Sequence, residues 1–83
     1  MAIYVMMKKI LEDDNKVTYY FGPNESTLGI LEYDKNTKKI TIHEQVNDGI
    51  IPNEAYEKWV AQRIGQIIFK EGGFFPEKTT IER

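Results

Sequence analysis

Residues 53–71, NEAYEKWVAQRIGQIIFKE, decide the fold class. Tyr56, Trp59, Val60, Ile64, Ile67 and Ile68 recur at spacings of three and four, which puts them on one stripe of an α-helix. Glu57, Lys58, Gln62, Arg63, Gln66 and Lys70 fall mostly on the other side. Pro52-Asn53-Glu54 supplies the start, with either Pro52 as the first helical residue or Asn53 as the cap. Glu54 precedes Lys58 by four residues, the favourable order for that pair. Gly72-Gly73 supply the stop, because helices commonly end on a residue in left-handed geometry. Such a helix is roughly 27 Å long at 1.5 Å per residue. Gly65 lies inside it and costs about 1 kcal/mol relative to alanine at an exposed site. It therefore predicts a close approach of the helix to a sheet, with a kink as the alternative.

The stripe needs a surface to pack on, and the first half of the chain supplies one. Short apolar runs alternate there with polar punctuation, the signature of a β-meander. Strands are expected over residues 2–11, 17–21, 27–33 and 39–46. The breaks between them are Glu12-Asp13-Asp14-Asn15-Lys16, Gly22-Pro23-Asn24-Glu25-Ser26 and Asp34-Lys35-Asn36-Thr37-Lys38. Gly-Pro in the second break is expected to end its strand. Short connections make sequential antiparallel pairing the economical topology. At Asn47-Asp48-Gly49 the pattern changes toward the helix. Beyond the helix, residues 78–82 around Thr79 and Ile81 are read either as a fifth strand or as irregular chain. The expected fold is thus α+β, a four-stranded antiparallel meander packed on one face by a long C-terminal helix, in one small domain spanning residues 1–83.

Strand alternation sorts the side chains onto two faces. One parity set holds Ile3, Val5, Met7, Val17, Tyr19, Phe21, Leu28, Ile30, Ile40 and Ile42. It is almost wholly apolar, matches the helix stripe, and is expected to be the core face. The other set mixes Lys8, Thr18, Gly29, Thr41 and His43 with Tyr4, Met6, Tyr20, Leu31 and Tyr33. One helix covers one face only. The five apolar and aromatic residues of the second set are therefore the candidate protein-binding residues. Two structural alternatives stand beside that reading: tyrosines suit half-exposed strands, and Phe74-Phe75 could fold over this face.

Composition narrows the function classes. Of 83 residues, 41% are hydrophobic and 29% charged, the range of an ordinary globular chain. No cysteine is present, which excludes disulfides, thiolate metal sites and a cysteine nucleophile, and favours a reducing compartment. Apolar Met1-Ala2-Ile3-Tyr4-Val5-Met6-Met7 precedes Lys8-Lys9, the wrong order for a signal peptide, and no window reaches the length of a membrane span. A soluble cytoplasmic protein is the expectation. The net charge of −2 and basic runs no longer than the pairs Lys8-Lys9 and Lys38-Lys39 are a poor start for binding phosphate backbones.

No constellation for chemistry emerges. His43 is the only histidine and Ser26 the only serine, and Ser26 lacks a Gly-x-Ser-x-Gly frame. Glu12-Asp13-Asp14 lacks the spacing and central glycine of a calcium loop, and a hydrated turn explains it more simply. The glycines at 22, 29, 49, 65, 72 and 73 form no phosphate-binding loop. No catalytic residue, cofactor or metal is expected, and the chain is not expected to be an enzyme. In outline, a small acidic meander plus helix, it resembles small bacterial inhibitor or toxin-immunity proteins, a likeness of plan that no motif carries. That likeness implies binding of another protein. The sequence-based expectation is a protein-binding domain, acting through the tyrosine-bearing face or a sheet edge, with itself or another protein as partner. The alternative is an accessory module that stacks single-stranded nucleic acid on the same aromatics.

Overall fold

The computed structural model describes residues 4–46 and 51–82. Ala2 and Ile3, expected in the first strand, and Asn47-Asp48-Gly49, where the pattern changes, lie outside the described residues. The elements in chain order are β1 (Tyr4–Glu12), β2 (Lys16–Asn24), β3 (Thr27–Asp34), β4 (Lys39–Glu44), α1 (Asn53–Lys70) and β5 (Lys78–Glu82). They form one five-stranded sheet in the order β4-β3-β2-β1-β5, antiparallel throughout. The expected α+β class holds, and the fifth strand is real. It pairs with β1 from Tyr4↔Glu82 to Lys8↔Lys78. The meander ends at one edge of the sheet and β5 lies at the other, so the chain must cross the sheet between them. Five strands at about 4.8 Å spacing span about 19 Å, a distance that an 18-residue helix covers.

The helix start falls between the two sequence alternatives, one residue after the first and one before the second. Pro52 occupies the cap position in extended geometry and Asn53 is the first helical residue. The Pro52 carbonyl accepts the Ala55 amide at 3.0 Å, while no side chain caps the helix. At the other end Gly72 and Gly73 take φ of 72° and 80°, and the Gly73 amide closes on the Ile67 carbonyl at 2.9 Å. The helix buries Tyr56, Val60, Ile64 and Ile67, with Trp59 and Ile68 packed partly against the same core. The sheet contributes Val5, Met7, Val17, Tyr19, Phe21, Leu31 and Tyr33. Each such side chain, fully buried, contributes about 1.5–3 kcal/mol relative to an exposed one.

Three expectations about the strands are corrected. β2 does not stop at Phe21 but runs through Gly22-Pro23 to Asn24. The register shifts between Phe21 and Asn24, so Pro23 sits in an irregularity where its missing N–H interrupts no regular ladder. Gly22 is required there, since a Cβ would fall 2.1 Å from the Thr27 carbonyl oxygen. The second correction concerns β3. Leu28 and Ile30, expected in the core, lie on the opposite face, and Leu31 and Tyr33 are buried. Gly29 decides this. It pairs with Phe21, and a Cβ on it would stand 2.8 Å from the Phe21 ring, so the ring occupies the space a side chain would fill. With position 29 on the core face, alternation carries 31 and 33 with it.

β4 ends at Glu44 rather than at residue 46. Leu31 pairs with Ile42 and Ile30 with Glu44, which leaves His43 as an extra residue at the strand's end. The hairpin loops follow their expected chemistry. Asp13 Oδ1 accepts the amides of Asn15 and Lys16 at 2.7 and 2.9 Å, and Asp34 Oδ1 those of Asn36 and Thr37 at 2.8 and 3.1 Å. Lys38 takes φ of 61°, and its amide donates to the Asp34 carbonyl at 2.8 Å.

The segment after the helix packs on the core face. Phe75 is buried against the rings of Tyr19 and Tyr33, at centroid distances of 6.5 and 5.8 Å. Its carbonyl accepts a hydrogen bond from Lys9 Nζ at 3.1 Å, and the Tyr19 hydroxyl donates to the Pro76 carbonyl. Phe74 by contrast is exposed. Arg63 reaches from the helix to Thr79 Oγ1 at 2.8 Å and to Glu71 at 2.6 Å, which ties α1 to β5.

Candidate functional site

The face away from α1 is the candidate site. The strand register arranges its side chains in rows across the sheet. The central row reads Glu44, Ile30, Tyr20, Lys8, Lys78 from β4 to β5. The next row contains Leu28, Gly22, Met6 and Thr80, with the Leu28 backbone 3.2 Å from where a Gly22 Cβ would stand. On the other side of the central row lie Thr41, Glu32, Thr18 and Leu11. Tyr4 stands opposite Glu82 at one end.

Of the five residues expected on this face, Tyr4, Met6 and Tyr20 are there. Leu31 and Tyr33 are not: they are 0% and 6% exposed and belong to the core under the helix. Their places are taken by Leu28 and Ile30, both partly buried by their neighbours in the sheet. Ile10 and Leu11 extend the apolar surface at the far end of β1, where a register shift between Lys9 and Leu11 makes room for an additional residue. Only the cost of a side chain at Gly29 could have found Leu28 and Ile30, and that cost shows only once β2 and β3 are paired. The Phe74-Phe75 segment does not cover this face, because Phe75 packs on the other side.

The charges on the face are unevenly placed. Glu32 and Glu44 stand on the β3–β4 half, while Lys8 and Lys78 stand on β1 and β5. Glu32 is approached by Lys16 Nζ at 3.6 Å and by His43 Nε2 at 3.4 Å, so the only histidine of the chain sits beside a carboxylate on an exposed strand end. Nothing here resembles a nucleophile and its base. Ser26 is in the tight β2–β3 turn, where its amide binds Asn24 Oδ1 at 2.9 Å. Among the described residues no group of three or more His, Cys, Asp or Glu side chains could hold a metal ion. The Glu12 and Asp13 carboxylates are already engaged. Glu12 binds Lys35 at 2.7 Å and Lys9 at 3.0 Å, and Lys35 is the main cause that holds its carboxyl below the usual range. Asp13 is held below its usual value by the two turn amides it accepts.

Two further surface features lie on the helix side. Between α1 and the β4 edge runs a hollow of about 310 Å³ lined by Tyr33, Ile40, Ile64, Gly65, Ile68 and Phe69 among others. Phe69 stands at its rim, 88% exposed. Gly65 does not mark a close approach to the sheet as expected, because a Cβ there would meet nothing within 4 Å. Nor does it end or interrupt the helix, which runs unbroken from Asn53 to Lys70. A second hollow of about 320 Å³, lined by Trp59, Gln62, Arg63, Gln66, Thr80 and Glu82 among others, lies beside β5 and is mostly polar. No helix among the described residues is long and apolar enough to cross a membrane.

No family model, no curated protein and no solved structure matches the chain.

Proposed function

We propose that the chain is a non-enzymatic protein-binding domain whose contact surface is the face of the sheet opposite α1. The observation that carries this reading is the cluster of Tyr4, exposed, and Met6, Tyr20, Leu28 and Ile30, half-buried, on a face that no described element covers, in a sheet whose other face already has its helix. Large amphipathic and flexible apolar side chains are the residues that protein interfaces favour, and contiguous apolar surface on a soluble chain marks a contact site. Single-stranded nucleic acid fits the same face less well. Its lysines share the surface with Glu32, Glu44 and Glu82, whereas phosphate-tracking grooves are predominantly basic.

A photo-reactive amino acid placed at position 20 and, in a separate variant, at position 58 on the outer side of the helix tests the reading in the native host. Illumination is expected to give protein adducts from position 20 and none from position 58. Equal labelling from both positions, or adducts with nucleic acid, would overturn it.

A further inference from the structure

We infer that the partner of this face is a second copy of the same chain, docked face to face about a two-fold axis that runs along β2. The inference rests on the protein-binding reading of the face and adds to it the identity and geometry of the occupant. It follows from how the rows are ordered.

β2 is the middle strand of five, so Tyr20 is at the centre of the central row. That row carries an acid at its β4 end, apolar Ile30 and Tyr20 in the middle, and Lys8 and Lys78 at the β1–β5 end. A two-fold axis along β2, between two facing sheets, lays the β4 end of one copy over the β5 end of the other. Glu44 then meets Lys78 of its copy, and Tyr20 meets Tyr20. Lys8 falls over the stretch Ile30–Glu32, where its stem lies on Ile30 and its ammonium reaches Glu32. In the neighbouring row the same operation sets Leu28 of β3 over Met6 of β1, apolar on apolar.

The other two-fold available to facing sheets runs across the strands. It would keep the row order and place Glu44 on Glu44 and Lys8 on Lys8, and like charges across an interface are costly. The charge order along the central row thus selects one axis, and the like pair this axis creates on β2, Lys16 on Lys16, is offset by Glu32, 3.6 Å from each lysine in its own chain. The resulting contact is isologous, as closed dimers require. It is also the aligned sheet-on-sheet packing in which mean strand directions stay within about 30°. The available area sits at the lower end of what a dimer needs: five strands of five to nine residues give a face of at most roughly 20 × 30 Å, or about 600 Å², where standard interfaces begin at about 600 Å² per partner.

The absence of cysteine makes the axis directly testable. In the variant Thr18→Cys, the new thiol lies on β2 and so on the axis, which leaves Tyr20 in place. With a short bis-maleimide reagent, which spans the roughly 10 Å between packed sheets that a disulfide does not, it is expected to give a covalent dimer, while Lys58→Cys on the helix stays monomeric. Light scattering on the wild-type chain is expected to show a dimer. Lys8→Glu with Lys78→Glu, and separately Glu32→Lys with Glu44→Lys, are each expected to lose it, with folding checked by circular dichroism. Mixing the two charge-reversed variants is expected to restore a heterodimer, since positions 8 and 78 of each copy then meet the opposite sign at positions 32 and 44 of the other. A wild-type chain that stays monomeric up to about 1 mM, where association is marginal, overturns the self-docking inference. The wider protein-binding reading would then rest on the adducts from position 20 alone. A dimer that does not cross-link at Thr18, or charge-reversed variants that do not recombine, overturns the axis.

Discussion

The two faces of this sheet are built from neighbouring residues of the same strands, yet they end in opposite environments. Met7 and Tyr19 are fully buried beneath α1, while Met6 and Tyr20, one position away, are only partly covered. The residue types are the same on both sides. What differs is the matching element: the helix stripe of Tyr56, Val60, Ile64 and Ile67 answers one face, and no described element answers the other. Apolar content therefore does not by itself locate a core. A core is an apolar face together with the element that fits it, and an apolar face without one stays at the surface.

The sharpest way to break this contrast is on β3, where adjacent residues face opposite sides. Leu31→Ala should cost about 2–5 kcal/mol, the range for emptying a packed core site. Ile30→Ala should cost about 1 kcal/mol or less in the monomer. Urea denaturation of both variants at low protein concentration reads the difference. Equal losses would mean that the face assignment of β3 is wrong.

A smaller effect is expected on the helix. Because a Cβ at Gly65 meets nothing, Gly65→Ala should stabilise the protein by about 1 kcal/mol, the helix propensity it recovers. A destabilised variant would instead show that something packs against α1 at that position.

The smallest effect lies in the loops that hold both faces in register. Glu12, Asp13 and Asp34 all have their pKa lowered, Glu12 chiefly by Lys35, Asp13 chiefly by the Asn15 amide and Asp34 chiefly by the Thr37 amide. A depressed carboxyl contributes stability that is fully present above its unfolded value and is lost as pH falls through its folded one. The urea midpoint should therefore fall as pH drops below about 4. A double Asp13→Ala, Asp34→Ala variant should show a shallower acid limb, and an unchanged slope would remove these turns as the cause.

Much of the fold was legible because its signals are local. The three- and four-residue spacing from Tyr56 to Ile68, the Gly72-Gly73 stop and the Asx-rich loops each act within one turn of chain, and each is found where expected. The boundaries that failed depend on pairing. Pro23 reads as a strand end unless the register shift beside it is known, and β3 takes the wrong parity unless the Phe21 ring is seen to need the space at Gly29. The candidate site inherited that error: Tyr4, Met6 and Tyr20 come from strands read in the right phase, Leu31 and Tyr33 from the strand that was not. Gly65 was misread for a related reason, since propensity gives the cost of a glycine but not what lies beside it.

The pairing of β1 with β5 also sets a schedule for the sheet. Tyr4 is bonded into a ladder opposite Glu82, so the first of the five strands receives its last neighbour only when the chain has been synthesised through β5. The meander can form from contacts between successive hairpins, but closing β1 against β5 waits on the helix crossing the sheet and on Phe75 reaching Tyr19 and Tyr33. Until then β1 offers a bare edge of unpaired amides and carbonyls. The nascent chain is thus exposed to wrong strand pairing along the segment Tyr4–Glu12, and synthesis of β5 is what removes that hazard.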